Sequence, residues 1–160
     1  MLDKYIDHCR NHSYMSGIDR AKLRVKQNGE VFTPTELAIL AINKLEEHNP
    51  SAFNNPTKEF LENSCGDGQF LSEVVIRKME RSNCTLEQAL STTYGVEFME
   101  DNVKLCKERL AGPTPTQEIW NILDKNIVHA DALTYHYRFD GTPPMMSESE
   151  LKSQEFFSFK

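Results

Sequence analysis

The sequence lacks any long apolar run, because its hydrophobic stretches are short and interrupted by charged residues. A membrane-spanning helix needs roughly 18 or more apolar residues in succession. The acidic start at Leu2-Asp3 also lacks the basic lead of a signal peptide. We therefore expect no membrane association, a cytoplasmic location and, from 160 residues of which 39% are hydrophobic, a single core of ordinary size.

Cysteine and histidine are scarce and scattered, which argues against two further classes of site. The sequence has no CxxC pair and no cysteine with a histidine at ligand spacing, so it predicts neither a zinc site nor a disulfide framework. We expect reduced thiols and no metal. The four cysteines are Cys9, Cys65, Cys84 and Cys106.

Charge is unevenly distributed along the chain, whose formal net charge is −6. Before Gly29, six basic residues oppose three acidic ones, so this arm carries +3 and the remainder carries −9. A basic arm favours phosphate contacts, although a solvated amphipathic helix would have the same composition. An acidic body argues against tight binding of a DNA duplex by this chain alone, because phosphate contacts supply most non-specific affinity.

Periodicity divides the chain into a helical arm (residues 1–27), an α/β domain (28–140) and a tail (141–160). Thr33-Pro34 is typical of a helix start, with threonine as N-cap and proline in the first helical position. Further along, predicted strands in KEFLENS, TTYGVEFME and KNIVHADAL alternate with helical patterns. This β-α-β-α-β order predicts an α/β fold with parallel strands.

The stretch FLENSCGDGQFL places two glycines one residue apart between a predicted strand and a predicted helix. Gly66 and Gly68 permit positive φ and a close approach of a ligand to main-chain N–H groups. A third glycine at dinucleotide spacing and a Gly-Lys-Ser/Thr phosphate loop are both missing, so pyrophosphate is the weaker ligand hypothesis. Asp67, inside the turn, would repel a phosphate but tolerate a zwitterion or a sulfonium cation.

Two acids end the other predicted strands. Glu97 follows the glycine turn by about 30 residues, where a carboxylate can accept hydrogen bonds from both hydroxyls of an adenosine ribose. Asp131 can accept a hydrogen bond from the exocyclic amine of adenine. A ligand with an amino acid at one end and adenosine at the other is S-adenosylmethionine, which is the cofactor that we expect.

Four segments resemble, in order, the successive motifs of the N6-adenine DNA methyltransferases whose cofactor motifs precede the catalytic one. They are GEVFTPTELAILAINKL, FLENSCGDGQFL, YGVEFMEDNV and VHADAL, within residues 28–134. The resemblance implies a Rossmann-like S-adenosylmethionine-dependent methyltransferase fold, truncated after the third parallel strand and preceded by N-terminal helices. The activity that it implies is methylation of DNA adenine at N6.

The resemblance also implies which residues hold the methionine end of the cofactor. Phe32, Thr33 and Pro34 would line this end. Alternatively, the glycines form a turn without binding anything, and Phe32 is a core residue. The residues that would wrap the amino acid portion are Asn63, Ser64, Cys65, Gly66, Asp67 and Gly68.

For the adenosine end, the resemblance implies that Glu97 holds the ribose and that Phe98 or Met99 packs on adenine. Asp131 with Ala132 would meet the adenine edge. Alternatively, both acids cap helices that follow the strands, and Phe98 belongs to the core.

The family's catalytic motif, Asn-Pro-Pro followed by an aromatic residue, binds and stacks on a flipped adenine. This chain has Thr142-Pro143-Pro144-Met145 in its place. Threonine cannot supply the carbonyl of the amide, methionine cannot stack as an aromatic ring would, and the preceding apolar strand is missing. A proline-rich turn is the alternative interpretation, and the catalytic residues stay unknown.

A sheet whose glycine-turn strand lies at an open edge leaves main-chain groups unpaired. We expect a second copy, another chain, or the tail with Phe156, Phe157 and Phe159 to cover this edge, so that the protein is a homo-oligomer or part of a hetero-complex. The leading hypothesis is a methyltransferase-like protein that is incomplete by itself and reaches DNA through a partner subunit. The alternatives are a catalytically inactive cofactor-binding modulator or decoy of a DNA methylase or restriction-modification system, and a structural subunit with an empty pocket.

Overall fold

The computed structural model describes residues 2–11 and 33–144, together with residues 149 and 152. No helix in this part of the chain has both the length and the apolar content needed to span a membrane. Within it, the strands are β1 (Phe60–Glu62), β2 (Thr93–Glu97) and β3 (Ile127–His129). The six helices found in the described ranges are α1 (Leu2–Asn11), α2 (Thr35–His48), α3 (Gln69–Ser82), α4 (Leu86–Leu90), α5 (Glu100–Ala111) and α6 (Gln117–Asn126).

The three strands form one parallel sheet in the order β1-β2-β3. Glu62 aligns with Gly95 and Glu97 aligns with His129, so the strands end along a common edge. This arrangement confirms the predicted α/β architecture with three parallel strands. The strands are shorter than the sequence patterns suggested, because β1 has three residues before the chain turns into α3.

Two element boundaries differ from the prediction. Pro34, rather than Thr33, is the N-cap of α2, because its ψ of 144° is extended while its carbonyl already accepts from the helix. Helix α6 continues to Asn126, whose Nδ2 donates to the buried Leu90 carbonyl (2.9 Å). The third strand therefore begins at Ile127 and not at Lys125.

Helices cover one face of the sheet. A Cβ on Gly95 of β2 would lie 2.8 Å from Cys65 Sγ and 2.9 Å from Leu71 Cδ1, so α3 packs directly on the sheet at this glycine. Leu71 belongs to the main core, which also buries Cys106 and Leu110 of α5. The helix that follows the glycine turn and the helix that follows β2 are thus held together beneath the sheet.

The opposite face is covered by the chain that follows β3. Because side chains alternate along a strand, Val96 points away from the Gly95 side. Val96 packs with aromatic residues at alternating positions, Tyr135, Tyr137 and Phe139. This aromatic segment runs back across the sheet and forms a second, smaller core.

Helix α1 packs against α3 and α5. Its Tyr5 and Cys9 are buried, and the Tyr5 hydroxyl donates to the Leu110 carbonyl (3.0 Å). Arg10 donates two hydrogen bonds of 2.8 Å to the Glu73 carboxylate of α3. Residues 2–11 are therefore part of the main core, while residues 12–27 of the predicted arm lie outside the described residues.

Candidate functional site

Three acidic residues lie where the parallel strands end. Glu62 is the last residue of β1, Glu97 is the last residue of β2, and Asp131 follows β3 by two residues. The Ala130 N–H donates to the Glu97 carbonyl (3.0 Å), which keeps the chain after β3 beside the end of β2. Ligands of open parallel sheets bind outside this edge. The candidate site is therefore at the carboxyl ends of the strands.

The glycine turn, residues 63–68, connects β1 to α3 at this edge. The Cys65 N–H donates to the Val96 carbonyl (3.0 Å), and the Gly68 N–H donates to the Cys65 carbonyl (2.8 Å). Gly66 has a φ of 52° and Gly68 has a φ of 84°. Residues with a Cβ adopt such values only at a cost in free energy, so the turn conformation depends on both glycines.

The two glycines are needed for different reasons. A Cβ on Gly66 would meet no heavy atom within 4 Å among the described residues, so this side of the turn faces open space. A Cβ on Gly68 would lie 2.8 Å from Cys106 Sγ and 3.4 Å from Cys106 Cα. The bare backbone at Gly66 is thus accessible to a ligand, whereas Gly68 allows the turn to contact α5.

The buried carboxylate of Glu97 joins the end of β2 to the glycine turn. Its Oε2 accepts from the Gly66 N–H (2.9 Å), and its Oε1 accepts from the Met99 N–H (2.9 Å) and from Asn102 Nδ2 (3.4 Å). A carboxylate oxygen has two lone pairs, so Oε2 can accept a further donor such as a ribose hydroxyl. Glu97 therefore holds the N–H of Met99, the residue before α5, and also lies against the turn.

Glu62 differs from Glu97 in that one of its carboxylate oxygens has no hydrogen-bond partner among the described residues. Its Oε2 is buried and has no hydrogen-bond partner within residues 2–11 and 33–144. Burial, together with the negative charges of Asp67 and Glu97, raises the pKa of Glu62 to about 7. A cationic or hydrogen-bond-donating ligand would relieve this cost, because it would supply the missing partner.

A shallow pocket of about 290 Å³ opens beside Glu62. It lies between β1 and the first two turns of α3, directly after the glycine turn. Apart from Glu62, its lining is hydrophobic: Phe60, Leu61, Phe70, Leu71 and Val74. The arrangement offers one carboxylate at the rim of an apolar surface, which suits a ligand with a polar end and an apolar body.

The carboxylate of Asp67 points into the protein. It is buried and accepts from Arg109 Nη2 at 2.7 Å, and Arg109 is itself 1% exposed. This ion pair weakens the argument that Asp67 repels phosphate. The negative charge that faces a ligand at the edge comes from Glu62 and Glu97 instead.

The loop after β3 is organised around Asp131. Its Oδ1 accepts from the Leu133 N–H (2.8 Å), and its carbonyl accepts from the Tyr135 N–H (2.9 Å). Asp131 and Ala132 are half-buried, as is Phe98, whose carbonyl lies 3.0 Å from His129 Nε2. The residues expected at the adenine end thus all lie in the segments that follow β2 and β3.

The start of α2 lies near the glycine turn. The Thr35 hydroxyl donates to Gln69 Oε1 (3.5 Å), and Gln69 directly follows Gly68. Thr33 is half-buried and Pro34 is exposed beside this contact, whereas Phe32 lies outside the described residues. In the turn itself, Asn63 and Ser64 are exposed and Cys65 is buried.

The Thr142-Pro143-Pro144 segment lies elsewhere. The Thr142 N–H donates to Asp140 Oδ1 (2.9 Å), and Gly141 has a φ of 83°, so the segment begins with a turn. A Cβ on Gly141 would lie 3.5 Å from Cγ of Lys125, which precedes β3. The segment is therefore near the amino end of β3, opposite to the glycine turn, and Met145 lies outside the described residues.

Two site residues were missed by sequence reasoning. Glu62 ends a strand directly before the turn, so the rule that selected Glu97 would also have selected Glu62. Arg109 had no local signal, because its partner Asp67 lies 42 residues away in the sequence.

Comparisons with known proteins found no match to a family model, to a curated protein or to a solved structure. Within residues 2–11 and 33–144, no group of three or more histidine, cysteine, aspartate or glutamate side chains could hold a metal ion. The groups that this edge offers to a ligand are the carboxylates of Glu62 and Glu97, the glycine turn and the apolar surface of the pocket.

Proposed function

We propose that this protein binds S-adenosylmethionine at the carboxyl edge of its sheet. The observation that carries the proposal is the unpartnered carboxylate oxygen of Glu62, beside a glycine turn whose Gly66 N–H is held by Glu97. An amino acid ammonium would supply the missing partner of Glu62. A ribose would use the remaining acceptor capacity of Glu97.

The charge of the edge supports S-adenosylmethionine over a phosphorylated nucleotide. Glu62 and Glu97 are both carboxylates, and burial, together with the charges of Asp67 and Glu97, raises the pKa of Glu62. A phosphate here would add a third negative group. S-adenosylmethionine has a sulfonium, an ammonium and one carboxylate beside an uncharged adenosine, so its net charge is positive and offsets the negative charge of the edge.

The proposed fold is a Rossmann-like methyltransferase domain, to which the described residues contribute three parallel strands. Two features support this proposal: the β-α-β-α-β order of the described sheet and the four methyltransferase-like segments in the sequence. The glycine turn, Glu97 and Asp131 follow successive strands, as a cofactor bound across strand ends requires.

For the activity, we favour a DNA adenine-N6 methyltransferase-like protein that is incomplete by itself. Thr142-Pro143-Pro144 lies toward the amino end of β3, so it is not placed to meet a methyl group delivered at the carboxyl edge. A partner subunit would then bind the target DNA and supply the catalytic motif. The same observation also favours the second candidate, a cofactor-binding modulator or decoy of a DNA methylase or restriction-modification system.

Calorimetric titration tests cofactor binding directly. We expect S-adenosylmethionine to bind and NAD to bind far more weakly.

Glu97→Ala should reduce the binding free energy by roughly 2–4 kcal/mol, because it removes charge-assisted hydrogen bonds. Glu100→Gln is the matched control, since it removes an exposed carboxylate from the first residue of α5 and should leave the affinity unchanged. Equal affinities for wild type and Glu97→Ala would remove Glu97 from its proposed role.

Transfer of a labelled methyl group to DNA separates the two candidate functions. A methyltransferase subunit should methylate adenine when the proteins encoded beside it are added. A modulator should bind the cofactor, transfer nothing under the same conditions and change the rate of an active methylase.

A further inference from the structure

Arg109 makes a buried connection between the glycine turn and α1. Its Nε donates to the Asp67 carbonyl (2.9 Å), and its Nη2 donates to the Asp67 carboxylate (2.7 Å). Its Nη1 donates to the Cys9 carbonyl of α1 (2.7 Å). One side chain of α5 therefore binds both Asp67 of the glycine turn and Cys9 near the end of α1.

The contacts to Asp67 fix the turn at a point where it would otherwise be free to change. Asp67 lies between Gly66 and Gly68, which are the two residues with the widest choice of backbone conformation. Because Arg109 holds its carbonyl, the peptide plane between Asp67 and Gly68 keeps one orientation. This plane sets the direction of the Gly68 N–H, whose hydrogen bond to the Cys65 carbonyl closes the turn around Gly66.

The stability of the fold is a poor explanation for this ion pair. Replacing a buried ion pair by apolar residues of similar volume is often neutral or stabilising, because both charges lose their hydration on burial. Retaining the pair at this place is better explained if it selects one conformation of the turn. Arg109 is then a positioning residue, since it contacts the turn from behind and not the ligand.

Helix α1 completes this arrangement. Its Cys9 is buried against Arg109, and the Cys9 Sγ lies 3.5 Å from the Arg109 carbonyl. A Cβ on Gly112 would lie 2.9 Å from Tyr5 Cδ2, so the end of α5 is shaped for close contact with α1. Without α1, the Arg109 guanidinium would lose a carbonyl acceptor and the cover that keeps water from the pair.

We infer that Arg109 and the docked N-terminal helix together hold the glycine turn in its ligand-binding conformation. The inference rests on the proposed cofactor site. It makes residues 2–11, which are distant in sequence from every cofactor motif, a determinant of affinity. Any event that displaces α1 would weaken cofactor binding without touching a ligand-contacting residue.

The experiment compares Arg109→Lys with Lys107→Gln. Lys107→Gln breaks the ion pair between Lys107 of α5 and Asp124 of α6 (2.9 Å) but leaves the contacts to Asp67 and the docking of α1 in place. Arg109→Lys keeps the positive charge but cannot donate to three acceptors in the same geometry. We expect Arg109→Lys to weaken S-adenosylmethionine binding by roughly tenfold or more, and Lys107→Gln to weaken it by less than about twofold.

Hydrogen exchange of the ligand-free protein provides a readout that does not depend on cofactor binding. The Gly66 N–H donates to the Glu97 carboxylate, and the Gly68 N–H donates to the Cys65 carbonyl. These hydrogen bonds should protect both amides from exchange with solvent. Arg109→Lys should increase exchange at these two amides more than at core amides such as that of Leu71. Should Arg109→Lys fail to fold, Asp67→Asn is measured in its place, with the same expected selectivity at Gly66 and Gly68.

The outcomes are distinct. If the wild-type protein does not bind S-adenosylmethionine, the proposed function fails, while the exchange data still decide the role of Arg109. If exchange rises equally across the core and the turn, or if Lys107→Gln weakens binding as much as Arg109→Lys, the positioning role is overturned.

Discussion

Glu62 illustrates how a single carboxylate can oppose folding and still favour binding. Burial and two neighbouring carboxylates raise its pKa from 4.5 to about 7. Between these two pH values the folded protein holds a proton that the unfolded chain has released. The free energy of unfolding therefore falls as the pH rises from about 4.5 to 7, and the full cost is present above pH 7.

We predict that Glu62→Gln stabilises the protein at pH 8 by on the order of 1–3 kcal/mol and has no effect at pH 4, because the amide resembles the protonated carboxyl. Urea denaturation at both pH values measures this difference. The same variant should bind S-adenosylmethionine more weakly at pH 8, since it lacks the charge that an ammonium would neutralise. The exposed Glu59 serves as the control, and Glu59→Gln should show no such change in stability with pH. A Glu62→Gln variant with tighter binding would contradict the role given to Glu62.

At the scale of an element, the glycine turn combines backbone strain with packing. Both glycines have positive φ, but only the position of Gly68 is also crowded by Cys106 among the described contacts. A Cβ at either position costs roughly 1–2 kcal/mol in a left-handed conformation. At Gly68 the same Cβ must in addition push the turn away from α5.

We predict that Gly66→Ala lowers the free energy of unfolding by about 1–2 kcal/mol and that Gly68→Ala lowers it by more. Guanidinium denaturation of both variants measures the difference. Because the Cβ of Gly66→Ala would project into open space at the proposed site, this variant should lose more cofactor affinity than its stability loss alone suggests. The reverse order of stabilities would mean that the contact with Cys106 relaxes without cost. Gly141→Ala, also at positive φ but remote from the turn, controls for strain alone.

The sequence predicted the regular elements of the sheet because their signals are local. Alternating apolar residues and strand-end acids placed β2 and its last residue Glu97 correctly, and the two glycines placed the turn before α3. The end of α6 was missed, and the contact at that end joins Asn126 to the Leu90 carbonyl, two residues 36 positions apart. Contacts of this separation leave no periodic pattern in a single sequence.

Buried charges were the least predictable part of the structure. Lys78 of α3 is fully buried, and its Nζ donates to the Lys58 and Ala89 carbonyls (3.0 and 3.3 Å). Burial lowers the pKa of Lys78 to about 8. Charged residues are ordinarily assigned to the solvent face of a helix. Lys78, Glu73 and Arg109 break this rule because each meets acceptors or a counter-charge supplied by a distant element.

At the scale of the whole molecule, the two faces of the sheet are covered unequally. Helices cover one face, whereas the aromatic segment covers the other over β2 and β3. Tyr137 and Phe139 of this segment have positive φ (51° and 48°), and the Tyr137 hydroxyl donates to the Ala132 carbonyl (2.7 Å). This cover does not extend to Leu61 of β1, which is 53% exposed.

The uncovered edge leads to a prediction about assembly. Among the described strands, β1 pairs with β2 on one side alone, and Leu61 stands at this edge beside the apolar pocket. Edge strands with exposed apolar residues promote association, and lysine is a common means of preventing it. We therefore predict that the wild-type protein self-associates in a concentration-dependent manner and that Leu61→Lys shifts it to the monomer, as measured by sedimentation velocity. Leu133→Lys is the matched control, because Leu133 is 93% exposed but lies after β3. A wild-type protein that stays monomeric throughout, or an equal effect of Leu133→Lys, would show that a second copy does not cover β1.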